Sequence, residues 1–284
     1  MTSNEPGPIS ALLKKHHLRP DKNLGQNFLT DPVILEKIVE SAEVNNQDTI
    51  LEIGAGLGHL TNHLALKAKR VVAVELDKRL IPVLEETLQA HNNIRIIQGD
   101  ILQINPTDLV LDKNYLVVAN IPYYITSSIL RNLLESQITP KRIILTIQYE
   151  VAQRVCAPSG RMSVLALSVL MYGKPTLVNR IPAGAFYPPP KVDSAVIRID
   201  LYPNSLLPKE KREQFFKLVK AGFLHKRKTL RNSLSKGLIW PVEWTVDLLS
   251  AADINPQRRA ETLSFSEWLE VTSQYDKIRR DYSI

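Results

Sequence analysis

The stretch Val117-Val118-Ala119-Asn120-Ile121-Pro122-Tyr123-Tyr124 brings together residue types that can hold a flat ring carrying an NH2 group. The Asn120 amide oxygen accepts hydrogen bonds. Pro122 offers a carbonyl and has no N–H of its own. Tyr123 and Tyr124 supply aromatic faces. An adenine base is a ring of this kind. A plainer reading is a strand ending in a proline turn with both tyrosines in the core. Residues upstream decide between the two.

Gly54-Ala55-Gly56-Leu57-Gly58 follows an apolar run, and glycines at this spacing let backbone N–H groups approach a ligand closely. His59 stands where a dinucleotide-binding fingerprint places its third glycine, and no Gly-Lys-Ser/Thr is present. Both facts point away from NAD and phosphate loops, toward a ligand without a pyrophosphate. Glu75 lies about twenty residues on, where a carboxylate grips ribose hydroxyls. Asp77 reads as the cap of the following helix. Asp100 has two readings of equal standing, as acceptor for an adenine amine or as the cap of a turn.

These residues make one site only if their elements align. Runs 49–53, 71–75, 94–98, 115–119 and 142–148 read as strands. Helical patterns follow most of them, at 60–66, 80–88, 127–134, 151–155 and 163–171. Alternation of this kind implies a parallel α/β sheet, and ligands of such sheets sit outside the carboxyl ends of the strands. Gly54, Glu75, Asp100 and Asn120 all fall there. Runs 174–180 and 194–201 add two antiparallel candidates, because no helix separates them. The expected fold is α/β with a mostly parallel seven-stranded sheet and a small all-α C-terminal domain. Between the last two strands, three prolines stiffen Phe186-Tyr187-Pro188-Pro189-Pro190. Phe186 there is either a second aromatic wall for an extruded base or a core residue. Gly25-Gln26-Asn27-Phe28-Leu29 precedes a helix with Thr30 or Asp31 as its cap and Pro32 at its first position. Its residues favour packing over a lid.

The chain has 284 residues, 44% of them hydrophobic, which excludes a disordered protein. The single cysteine, Cys156, excludes an internal disulfide and favours a reducing, cytoplasmic setting. No run long enough to span a membrane and no signal-peptide pattern is present, so no membrane partner is expected. No His/Cys cluster suggests a metal. Residues 1–26 read as a basic, partly mobile segment. The linker-like stretch 202–208 divides the chain into expected domains 1–203 and 204–284. Net charge is +7, and from Asn204 onward 15 basic residues stand against 10 acidic. Between Gln214 and Lys236 there are seven Lys/Arg and no acid. Lys226, Arg227, Lys228 and Arg231 cluster on or beside a helix, which points to nucleic acid phosphates.

In their order and wording, Gly25-Gln-Asn-Phe-Leu29, Glu52-Ile-Gly-Ala-Gly-Leu-Gly58, Val74-Glu-Leu-Asp77, Gly99-Asp100, Asn120-Ile-Pro-Tyr123 and Phe186-x-Pro-Pro-Pro-Lys-Val-Asp-Ser194 resemble the rRNA adenine dimethyltransferases. Lys226-Arg-Lys-Thr-Leu-Arg-Asn-Ser233 and Arg258-Arg-Ala-Glu261 are similar to the small-subunit branch of that family, so the resemblance covers nearly the whole chain. It implies a Rossmann-like class I methyltransferase with S-adenosylmethionine as donor. The implied substrate is two adjacent adenosines in a hairpin loop near the 3′ end of small-subunit rRNA, dimethylated within a pre-mature small ribosomal subunit by a monomer. By motif, Asn27, Leu29, Gly54, Glu75, Asp100 and Asn120 bind the cofactor. Asn120, Pro122, Tyr123 and Phe186 hold the target base. Ile121, where many members have Leu, is a conservative departure. His225-Lys226, where many have Gln-Arg, keeps charge but loses a planar fork.

Overall fold

The computed structural model describes residues 8–110 and 112–282. The chain up to Ala152, with Lys174–Pro203, forms one compact unit; Gln153–Gly173 and the residues from Asn204 onward form a second. A break thus falls after Pro203, but segment 153–173, placed by its sequence in the first domain, groups with the second. The reason is its own bonding. Met162 N–H donates to Glu261 O at 2.9 Å, and Met171 O accepts from Leu206 N–H at 3.0 Å.

In the first unit the strands are β1 (Phe28–Leu29), β2 (Thr49–Ile53), β3 (Arg70–Glu75), β4 (Ile94–Gln98), β5 (Leu116–Asn120), β6 (Arg142–Gln148), β7 (Gly173–Ile181), β8 (Phe186–Tyr187) and β9 (Ser194–Leu201). The main sheet has seven strands in the order β4-β3-β2-β5-β6-β9-β7. Strands β4, β3, β2, β5 and β6 pair in parallel, and β9 runs antiparallel to β6. Every residue of β2 is buried, as in strands covered on both faces.

The helices open with α1 (Ile9–Lys15), α2 (Pro32–Ala42), α3 (His59–Ala65), α4 (Ile81–Leu88), α5 (Pro106–Leu109) and α6 (Thr126–Leu134). Asp31 caps α2, its Oδ1 accepting from Val33 N–H at 2.9 Å. Helix α1 is unforeseen in the sequence. Ile9, Leu12 and Leu13 form one buried cluster with Phe28, Leu57, Leu80 and Val83. This part of the basic N-terminal segment is therefore folded by apolar packing. The expectation of mobility for residues 1–7 lies outside the described residues.

Helices α7 (Tyr149–Val155) and α8 (Val164–Leu170) lead toward the second unit, completed by α9 (Lys209–Phe223), α10 (Leu230–Leu238), α11 (Val242–Ala251) and α12 (Phe265–Asp281). Its core is aromatic. Trp268 is fully buried and stacks on Phe223, and Trp240 stacks on Tyr275 at 5.2 Å between ring centroids. A capping box between Ser264 and Glu267 starts α12. Arg258 is committed to this frame, bonding Glu267 and, at 2.6 Å, Thr262 O.

Candidate active site

Four neighbouring parallel strands, β4-β3-β2-β5, turn their carboxyl ends to one rim, and a cleft opens there. Gly54, Glu75, Asp100 and Asn120 line it, joined by Asn27, Pro122 and Tyr123.

The glycine turn is stitched across β3. The Gly54 and Ala55 N–H groups both donate to Val74 O, at 2.8 and 3.2 Å. Gly54 has φ +78°, and a Cβ there would stand 3.1 Å from Asn120 O. Only glycine lets the turn and the end of β5 approach this closely. Glu75 Oε2 accepts from Gly56 N–H and Oε1 from Asp77 N–H, both at 2.8 Å. These bonds fix the buried carboxylate and leave each oxygen a lone pair for a ribose hydroxyl. Burial pushes the Glu75 pKa up, against the pull of these backbone N–H groups. Asp100 caps the turn that follows, its Oδ1 taking Leu102 N–H at 2.9 Å, and the residue also lines the cleft.

At the end of β5 the Asn120 Nδ2 donates to Asn27 O at 3.2 Å. The amide is thereby oriented, because only its NH2 can donate to a carbonyl. The Pro122 carbonyl is not wholly free, since it accepts from Ile125 N–H at 3.2 Å in a 3-10 turn; one lone pair remains. The Tyr123 hydroxyl lies 2.7 Å from Ser194 Oγ, and burial pushes its pKa up.

Two expected site residues are placed elsewhere. Phe186 is 4% exposed and does not line the cavity. It pairs with Leu29 across the antiparallel β1–β8 contact and joins the core with Ile181 and Ala185. Leu29 is buried with it and borders only a smaller space beside Gly54 and His59. The open aromatic at the cavity is Tyr124, 64% exposed. Sequence reasoning missed Gln26, Leu76 and Ile101 as lining residues. Leu76 and Ile101 follow the two acids directly, and apolar residues just past a strand end were the available signal.

Lys226, Arg227 and Lys228 lie exposed in the turn between α9 and α10; Arg231, half-buried in the first turn of α10, has its Nε buried and unpartnered.

Dinucleotide-binding sheets of the 3-2-1-4-5-6 order have no antiparallel strand lodged inside one edge. Here β9 sits antiparallel between β6 and β7. With the cleft at the carboxyl ends of the parallel strands, this is the architecture of a Rossmann-like methyltransferase. The family model described as "Ribosomal RNA adenine dimethylase" matches residues 18–277. A protein of Dehalococcoides mccartyi named "Ribosomal RNA small subunit methyltransferase A" is 43% identical over 93% of this chain and 91% of its own. One of the same name from Enterococcus faecalis is 39% identical over 96% of both chains. Among solved structures, a dimethyladenosine transferase from Plasmodium falciparum matches with TM-score 0.77 and 28% identity, over 88% of this chain and 98% of that one. The 23S rRNA methyltransferase ErmE matches with TM-score 0.73 and 29% identity, over 88% and 100%. The chain belongs to the ribosomal RNA adenine dimethylase family, and it is an S-adenosylmethionine-dependent rRNA adenine dimethyltransferase.

The rim fits that cofactor. Glu75 offers acceptors to a ribose, Asp100 has an oxygen left for an adenine amine, and the missing Cβ of Gly54 leaves room beside Asn120.

Proposed function

We propose that this enzyme dimethylates two adjacent adenosines in the 3′-terminal hairpin loop of small-subunit rRNA. It does so as a monomer in the cytoplasm, on a pre-mature small subunit. The observation that carries the branch is the breadth of the likeness: relatives named for the small subunit match through both units, over more than nine-tenths of the chain. The basic turn 226–228 with Arg231 suits phosphate contact.

Asn27, Gly54, Glu75, Asp100 and Asn120 hold the cofactor, which supplies a methyl on a positively charged sulfur. An adenine amine is a weak nucleophile because its lone pair is spread into the ring. Asn120 Oδ1 and the remaining lone pair of Pro122 O each accept one amine hydrogen. These bonds draw the nitrogen toward a pyramidal shape and localise the lone pair. Tyr123, tethered through Ser194, presents its ring to the base, a stack that contributes roughly 1–3 kcal/mol. The rest is positioning. Once nitrogen carries the methyl its proton is acidic and leaves without a strong base. The monomethyl amine keeps one hydrogen and holds one acceptor. The dimethyl amine has none, so neither bond survives and the product is released.

The test is incubation of the purified protein with S-adenosylmethionine and small subunits lacking the modification. Digestion and mass analysis of the RNA follow, with large-subunit RNA in parallel. Dimethyladenosine in small-subunit RNA alone is the expected result; product only in large-subunit RNA would move the protein to the other branch.

A further inference from the structure

Beyond the cavity, a second planar surface stands on the same rim. Tyr149 directly follows β6, whose Thr146 is the register partner of Asn120. At about 3.3 Å per residue and 4.8 Å between strands, Tyr149 lies roughly 10 Å from Asn120. The guanidinium carbon of Arg180, at the end of β7, sits 4.6 Å from the centre of the Tyr149 ring.

Arg180 is held edge-on. Its Nε donates to Asp193 Oδ2 at 2.9 Å, and a second nitrogen lies 2.7 Å from the same oxygen. Asp193 is fixed in turn, with Oδ1 accepting from Ala183 N–H and its backbone O from Tyr149 N–H, both at 3.0 Å. The next residue, Ser194, is the one that tethers Tyr123. A continuous chain, Tyr123–Ser194–Asp193–Arg180–Tyr149, therefore runs from the candidate base-holding residue to this surface. The Arg180 side chain is nevertheless 59% exposed. One face of its plane lies on Tyr149, one edge is taken by a carboxylate, and the remaining face is open.

We propose that Tyr149 and Arg180 form a stacking platform for the unpaired base adjoining the adenosine held at Asn120. The inference rests on the RNA reading above and adds a site for the neighbouring nucleotide. A base suits it better than a phosphate. Asp193 already takes two of the five N–H donors, and its negative charge opposes a phosphate at the rest; a base needs only the flat face. Asp193 also fixes the plane in advance, so little freedom is lost when the base arrives. With two adjacent adenosines to be modified, the platform holds one nucleotide while the other reacts.

Arg180→Lys is the decisive variant. It keeps the ion pair with Asp193 and removes the plane. Binding of wild type and variant to small subunits lacking the modification is measured across a salt series, beside product analysis at each adenosine and thermal unfolding. The expected result is about tenfold weaker subunit binding, an unaltered slope of log affinity against log salt, and accumulation of RNA dimethylated at one adenosine only. Tyr149→Phe, which keeps the ring, should bind more tightly than Tyr149→Ala. If Arg180→Lys binds subunits as the wild type does, charge alone suffices and the platform is wrong. A flattened salt slope would make Arg180 a phosphate contact and would equally overturn it. Should the wild type yield no product, the function proposed above has failed; the binding comparison still decides the platform.

Discussion

The Asn120 side-chain amide donates to the backbone carbonyl of Asn27 across 3.2 Å, joining the end of β5 to a loop 93 residues earlier. Asn27 is itself held by a bond from its own Nδ2 to Gly25 O at 3.0 Å. Gly25, at φ +63°, lies so close that a Cβ would stand 3.1 Å from Pro122 Cβ. The loop before β1 thus sets the orientation of the Asn120 amide, which we propose receives the target amine.

Asn120→Asp keeps an acceptor but replaces the donor to Asn27 O with a repelling oxygen. Methyl transfer should fall on the order of 100-fold or more, the scale of losing one preorganised hydrogen bond to a reacting group. Single-turnover rates at saturating cofactor and subunit check this, and Asn120→Ala with near-normal transfer would exclude the role given to Asn120.

Gln26 bridges the loop to the turn that follows β3. Its Oε1 accepts from Asp21 N–H at 2.7 Å and its Nε2 donates to Asp77 Oδ2 at 2.8 Å. Arg79 grips the same carboxylate and, ahead of Gln26, holds the Asp77 pKa low. Gln26→Ala should weaken S-adenosylmethionine binding about tenfold, the scale of one hydrogen bond to a charged group. Calorimetry reads the affinity, and amide exchange over residues 24–28 should accelerate in the cofactor-free protein.

Glu52, beneath the glycine turn, is 1% exposed, and neither carboxyl oxygen has a hydrogen-bond partner. Burial pushes its pKa from 4.5 up to about 8, and the nearby Glu75 adds to the rise. Because the folded pKa lies above the unfolded one, the protonated acid favours folding. That contribution is full below about pH 4.5 and is lost as pH rises through about 8. Glu52→Gln should remove this dependence, so its stability relative to wild type should rise between these limits. Denaturant unfolding at a series of pH values measures it.

Replacing Lys226 and Arg227 by Ala should flatten the salt dependence of subunit binding. The slope of log affinity against log salt should shrink by about 0.9 for each phosphate left without its cation. Cofactor affinity should not change. An unchanged slope would remove the turn between α9 and α10 from the RNA interface.

Phe186→Ala should behave as a core deletion. Its burial against Leu29 and Ile181 implies a loss of roughly 3–5 kcal/mol in unfolding free energy. Tyr124→Ala, at an exposed position on the cavity, should leave stability nearly intact and lower target binding. Paired thermal and RNA-binding measurements separate the two.

The alternation of strand and helix was enough to put Gly54, Glu75, Asp100 and Asn120 on one rim. Parallel strands joined by helices all end on the same side, so position in the strand pattern alone locates those residues. The basic run 214–236 was equally legible, since charge needs no partner to be counted. Contacts between segments distant in the chain were not. The β1–β8 pairing, two residues long on each side, has no periodicity to read, yet it takes Leu29 and Phe186 into the core. The helix over Ile9–Lys15 is short and depends on Phe28, Leu57 and Val83 for its apolar cover. Segment 153–173 carries a helical pattern that fits either unit, and tertiary contacts such as its bonds to Glu261, Leu206 and Arg212 assign it. Local chemistry and period were fixed by the order of residues; side-chain orientation at the rim came from tertiary packing, because it depends on which distant backbone group arrives beside each amide.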